Sequence, residues 1–274
     1  MKAYEKVYQH LDFPSELIAL ANGDLKIPRG TEDQPACCYG FPPAMIPLFS
    51  APDSMIYTGY WKHWFGSRSS SFVRMHVNVL FRLTECARSV EQFKDYLVMR
   101  ELVFADELTS EVDGFARALN VSNLNLLDQI STEFGDRPAG FLHLPSFSNN
   151  PPLSCFRDPS AYKGDFPHVG MNIDQYFMSE SCSLELNETL ENEYLSESFC
   201  PNWFKNYKKT EVFAALLDEG KLSEAWFALN SNGWSFIDAR KALNLLASKY
   251  DDFAFHTLVD AWCSLDHTKY KVGY

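Results

Sequence analysis

Phe72-Val73-Arg74-Met75-His76-Val77-Asn78-Val79-Leu80-Phe81-Arg82-Leu83 is the stretch on which the fold turns. Val73, Met75, Val77, Val79, Phe81 and Leu83 fall on one side of an extended chain. Phe72, Arg74, His76, Asn78, Leu80 and Arg82 fall on the other. Successive side chains of a strand point to opposite faces, so this strict alternation predicts one strand over 72–83. Arg74, His76, Asn78 and Arg82 make the second side mostly polar, which predicts an antiparallel sheet with a single buried face.

The flanking segments extend this reading in both directions. Gly66-Ser67-Arg68-Ser69-Ser70-Ser71 lacks the second Gly-Lys-Ser/Thr of a phosphate-binding loop and leads into a strand, so it is expected to be a hairpin connection. Met45-Ile46-Pro47-Leu48-Phe49 is the most apolar piece of a proline-punctuated region over 24–56 and predicts a short strand. Residues 12–23 predict a helix. Pro14 stands in the first turn, where its missing N–H costs little, Leu17, Leu20 and Ala21 keep helical spacing, and Gly23 can take the left-handed stop. Beyond the strand, Ser89-Val90-Glu91-Gln92 has the Ser-x-x-Gln form of a capping box, with Val90, Phe93 and Leu97 on one helical face. Helices are also predicted over 110–119 and 124–134, followed by an irregular connection rich in Pro, Gly, Ser and Asn over 135–170.

Four apolar stripes at helical spacing complete the chain. They are Val212, Phe213, Leu216 and Leu217; then Leu222, Trp226 and Leu229; then Phe236, Ala239, Leu243 and Ala247; then Phe255, Leu258, Val259 and Trp262. Four helices with short connections pack as an antiparallel array or bundle. The expected fold class is therefore α+β: a central antiparallel sheet with flanking helices, followed by a C-terminal all-helical region. The expected units are 1–145, holding the sheet, and 146–274, an irregular acidic connection with the helical region.

Composition and charge narrow the function classes. The chain has 274 residues, 46% hydrophobic and 15% aromatic, which excludes disorder over most of its length. The two longest uncharged runs, 34–52 and 138–156, are broken by Pro35, Pro42, Pro43, Pro47 and Pro52, and by Pro138, Pro145, Pro151 and Pro152. Neither can be a membrane helix, and the Met1-Lys2-Ala3-Tyr4 start leads into no apolar signal core, so a cytoplasmic protein is expected. Seven cysteines with no Cys-x-x-Cys pair imply reduced thiols rather than disulfides or structural zinc. Formal charge is −12, and it is unevenly placed. Residues 101–200 hold 4 basic and 17 acidic side chains; the remainder is close to neutral. Such a field repels phosphate backbones, so neither nucleic acid nor an anionic membrane is an expected partner. It favours a basic protein. Glu185, Glu188, Glu191 and Glu193, in a stretch without Lys or Arg, are the candidate contact residues, and the competing reading is a solvated face that maintains solubility.

Three further constellations bear on chemistry. Tyr57, Tyr60, Trp61, Trp64 and Phe65 lie within nine residues, with Lys62 and His63 between them. Rings so clustered either feed the core or anchor an interface, and Trp61 and Trp64 are the candidate partner-binding anchors. Asp252, His256 and Asp260 line one helix face but lack a converging fourth ligand, so no metal and no cofactor are expected. No Gly-x-Ser-x-Gly or His-Glu-x-x-His occurs. Cys155, Asp165 and His168 leave a cysteine-dependent hydrolase as a formal alternative, since nucleophilic chemistry needs thiol and imidazole within hydrogen-bond reach.

The residues up to about 105 resemble the SUKH superfamily of bacterial toxin-immunity proteins, which also contains fungal cell-wall-synthesis regulators. The matching residues are the proline-started helix Phe13-Pro14-Ser15-Glu16-Leu17-Ile18-Ala19-Leu20-Ala21 ending in Asn22-Gly23, the strand entry Ile46-Pro47-Leu48-Phe49, and the serine-capped helix Ser89-Val90-Glu91-Gln92-Phe93. The resemblance implies an α+β fold with a central antiparallel sheet, no catalytic residues and binding of a partner protein. Residues and resemblance together lead to the expectation of a non-catalytic immunity protein that binds and neutralises a basic toxin domain. A regulatory scaffold docking through the C-terminal helices is the alternative.

Overall fold

The stretch expected as one strand holds parts of two, Ser71–His76 and Arg82–Ala87, paired antiparallel. In the computed structural model the described residues are 2–30, 40–51, 53, 55–77, 81–135, 137–156, 161–165, 202–205, 208–265 and 273–274. The sheet is a meander of β1 (Met45–Ala51), β2 (Ile56–Trp61), β3 (Ser71–His76) and β4 (Arg82–Ala87), in that spatial order, every neighbour antiparallel. The chain reverses between β3 and β4, where Phe81 takes a left-handed φ of 61°. The alternation concealed this turn for a simple reason. Cross-strand partners share a face, and Met75 pairs with Leu83, eight residues on. An even separation keeps the in–out phase unbroken through the reversal, so period two assigns the faces correctly and says nothing about where the strand ends. Val73, Met75 and Leu83 are indeed buried on the apolar side.

Pro47 fits β1 because that strand is an edge of the sheet, where the missing N–H breaks no interior ladder. Opposite it stands Gly59, whose absent side chain is required: a Cβ there would lie 2.2 Å from the Ile46 carbonyl oxygen. Tyr8 adds a clamp, its hydroxyl donating to the Pro47 carbonyl at 2.6 Å.

The N-terminal helices are α1 (Glu5–His10) and α2 (Ser15–Asn22). Pro14 precedes α2 with an extended ψ of 151°, and Gly23 ends it at φ 77°, the expected left-handed stop. Next come α3 (Val90–Ala105), α4 (Ser110–Ala118) and α5 (Leu124–Phe134). The Ser89 hydroxyl accepts from the Gln92 N–H at 3.2 Å, while the Gln92 amide oxygen accepts from Arg88 N–H at 2.7 Å, so the capping box closes one residue earlier than the usual pattern. Among its described residues the irregular connection contains three short 3-10 turns, Pro138–His143, Pro145–Phe147 and Leu153–Cys155.

Among the described residues the C-terminal region holds a short α6 (Asn202–Lys205) and four longer helices where the stripes place them: α7 (Lys209–Asp218), α8 (Leu222–Leu229), α9 (Phe236–Ala247) and α10 (Phe253–Cys263). The molecule is thus α+β, a four-stranded antiparallel sheet with flanking helices and a C-terminal helical region. Among the described residues these helices add no strand to the sheet, yet they share one apolar core with it, running from Tyr4 to Tyr274. Indole N–H groups join the two parts: Trp226 donates to the Lys62 carbonyl at 3.0 Å and Trp262 to the Phe41 carbonyl at 3.1 Å. Buried Asn230 accepts from Ala44 N–H at 2.6 Å and donates to the Trp226 carbonyl at 2.8 Å.

Candidate functional site

The polar side of the β3–β4 hairpin is not a solvated face. Helix α3 crosses over it, and between the two lies a cavity of about 580 Å³. The hairpin contributes Arg74 and His76, with Thr84 directly across from Arg74. Tyr96, Arg100 and Val103 follow at spacings of four and three, so a single face of α3 presents them to the same space. Arg29 reaches in from the chain after α2, and Phe141 from the first 3-10 turn.

The cavity has a cationic part and an aromatic part. Arg29 is fixed by Glu101, a buried carboxylate on α3: its guanidinium lies 3.1 Å from one oxygen and its backbone N–H donates to the other at 2.9 Å. The same guanidinium sits 5.1 Å from the Phe104 ring centre, and that of Arg100 sits 5.6 Å from Tyr96. The Arg74 Nε is buried and has no hydrogen-bond partner among the described residues. No carboxylate is found among the described lining residues. In a protein of formal charge −12 this is a local reversal of sign, and the low-dielectric walls strengthen its field. The aromatic part is made by Tyr96 and Phe141, whose rings are 5.9 Å apart, and by Phe104 at the rim, 62% exposed.

Cys86 lies in the wall beside Arg74 and Arg100. Its side chain is 3% exposed and its S–H donates to the Phe72 carbonyl at 3.3 Å. Burial pushes the thiol up to about 12, outweighing the two arginines that pull the other way. A thiol so placed is protonated at neutral pH and is a weak nucleophile. Cys155 is similar, buried and pushed up to about 12 by burial. Of its proposed companions, Asp165 accepts a hydrogen bond from Ser69 N–H at 3.4 Å, and His168 lies outside the described residues.

The residues singled out in the sequence fall elsewhere. Trp61 is 3% exposed and Tyr57 is fully buried, so of the two alternatives for the aromatic cluster these rings take the core, and Trp61 has no face to offer a partner. The reason is strand geometry: Tyr57, Gly59 and Trp61 share one side of β2, and that side faces the core. Trp64 is half-buried, its ring 5.4 Å from Phe255 on α10 and 5.3 Å from the Lys62 ammonium. Glu185, Glu188, Glu191 and Glu193 lie outside the described residues. Asp252 serves the fold, accepting from Phe255 N–H at 2.7 Å as the cap of α10.

Arg29, Arg74, His76 and Arg100 escaped the sequence reading because they stand on three separate segments. One signal was present: Arg100 interrupts an otherwise apolar face of α3 between Tyr96 and Val103. No family model, curated protein or solved structure matches the chain. No helix among the described residues is long and apolar enough to cross a membrane.

Proposed function

We propose that the protein is a non-catalytic binding protein and that the cationic cavity is its site, taking a small organic anion. The observation that carries this is the convergence of Arg29, Arg74, Arg100 and His76 on one cavity of about 580 Å³ with no carboxylate among its described lining residues. That volume lies within the roughly 300–1,000 Å³ of small-molecule sites. The buried Arg74 Nε has no hydrogen-bond partner among the described residues, and an anion that accepts from it offsets the cost of burying it. The thiol in the wall argues for binding over turnover, since it is protonated and shut in.

Thermal denaturation with a panel of carboxylates and phosphate monoesters tests the reading. At about 100 times Kd a ligand specific for the native state adds about 2.7 kcal/mol of stability. At least one anion should therefore raise Tm in a concentration-dependent way, and Arg74→Gln should abolish the rise. A Tm unmoved by every member of the panel would refute an anion site.

The charge layout and the SUKH resemblance support a second reading, in which the acidic middle docks a basic protein and the chain serves as an immunity protein for a basic toxin domain. The two readings use different parts of the chain and are separable by mutation.

A further inference from the structure

The shape and chemistry of the cavity bear on which anion it takes. An inorganic anion would engage the guanidiniums and leave the apolar lining, Val103, Phe104 and Phe141 among it, uncovered. The hydrogen-bonding groups approach from opposed walls, Arg74 and His76 from β3 and Arg100 from α3. A planar carboxylate is satisfied by one coplanar fork, whereas the terminal oxygens of a phosphate accept from several directions at once. One ring is open to a flat partner. Phe104 stands at the rim, 62% exposed, with the Arg29 guanidinium 5.1 Å from its ring centre.

We infer that the ligand is a phosphate monoester carrying a planar heterocycle, of the nucleoside monophosphate class. The phosphate lies among Arg74, His76 and Arg100, and the ring stacks on Phe104. This rests on the cavity being an anion site, and it adds the identity of the group attached to the anion.

Isothermal titration of the full chain with AMP, GMP, adenosine, glycerol 3-phosphate and inorganic phosphate separates the two claims. At least one nucleotide should bind about tenfold or more tighter than glycerol 3-phosphate and inorganic phosphate, within the range that base–aromatic stacking supplies. Adenosine, without the phosphate, should bind more weakly than AMP. Phe104→Ala should weaken the nucleotide far more than glycerol 3-phosphate, bringing the two to a similar level. The side chain is 62% exposed, so this variant keeps the fold, which circular dichroism verifies. Arg74→Gln should weaken every phosphate tested. Equal binding of glycerol 3-phosphate and both nucleotides would overturn the ring assignment and leave the anion site standing. Binding of carboxylates such as benzoate or citrate but of no phosphate would overturn the ligand class in the same way. Failure of every anion would remove both claims.

Discussion

His63 is 5% exposed, and neither of its ring nitrogens has a hydrogen-bond partner among the described residues. Its ring meets Phe227 edge-on at 5.7 Å. Burial, reinforced by the positive charges of Arg68 and Lys62, lowers its pKa to about 3. The unfolded chain takes up a proton near pH 6.5, whereas the folded chain does so only near pH 3. Below pH 6.5 the unfolded state therefore binds more protons, and stability is lost as pH falls through that window. Between pH 7 and pH 5 this one residue should account for about 2 kcal/mol of lost stability. His63→Phe, which keeps a ring against Phe227, should lose about that much less over the same interval in urea denaturation. Identical pH dependence in the two proteins would show that His63 is not held neutral. The sequence placed His63 among aromatics; its burial, which sets its pKa, is visible only in the folded molecule.

Among the elements, α3 shows most clearly what a helical stripe leaves out. Val90, Phe93 and Leu97 define its apolar face, and Ser89 its start. Gln92, Asp95 and Glu101 are nevertheless buried as well. Gln92 donates to the Ser146 carbonyl at 3.0 Å and the Asn150 carbonyl at 3.2 Å, and Asp95 accepts from the Ser146 hydroxyl at 2.5 Å and the Asn123 amide at 3.3 Å. From β4, Glu85 accepts from the Ser71 hydroxyl at 2.5 Å and from Leu153 N–H at 2.7 Å. Together these groups secure the connection over 145–153, whose composition suggests only irregularity. Ser146 and Asn123 are half-buried, and each such hydrogen bond contributes about 0.5–1.5 kcal/mol net. Asp95→Ala should destabilise the protein by about that amount and speed amide exchange over 145–153 more than in α9. Uniform exchange across both would mean that the connection is secured by its apolar contacts alone. The hairpin teaches the complementary lesson. Its faces follow from periodicity, while its turn depends on pairing that an even spacing conceals.

For the whole molecule, charge and packing divide the work. The C-terminal helices are joined to the sheet through Trp226, Asn230 and Trp262, each bonded to backbone in the first 62 residues. The acidity is concentrated in 101–200. If that region steers a basic protein, reversing Glu185, Glu188, Glu191 and Glu193 to Lys should slow association and flatten its salt dependence, because exposed charges act mainly on encounter and are screened beyond about 8–10 Å at physiological salt. Surface plasmon resonance against a basic partner at low and physiological salt reads both effects. An association rate and salt slope unchanged by the reversal would reduce the acidic middle to a solubility feature. Nucleotide affinity should be indifferent to the same reversal if the cavity under α3 is the ligand site.

Alternation, helical spacing, Ser and Gly caps and proline positions act within a few residues, and these determined the α+β class, α2 through α5, the strand β1 and the four C-terminal helices from the sequence alone. The site depended on the tertiary structure. Arg74 and His76 look like the wet side of a strand until α3 covers them, and Arg29 joins them only because Glu101 holds it. Whether a polar side chain is solvated, stitched into the core or turned into a cavity is decided by groups tens of residues away, and local periodicity carries no information about them.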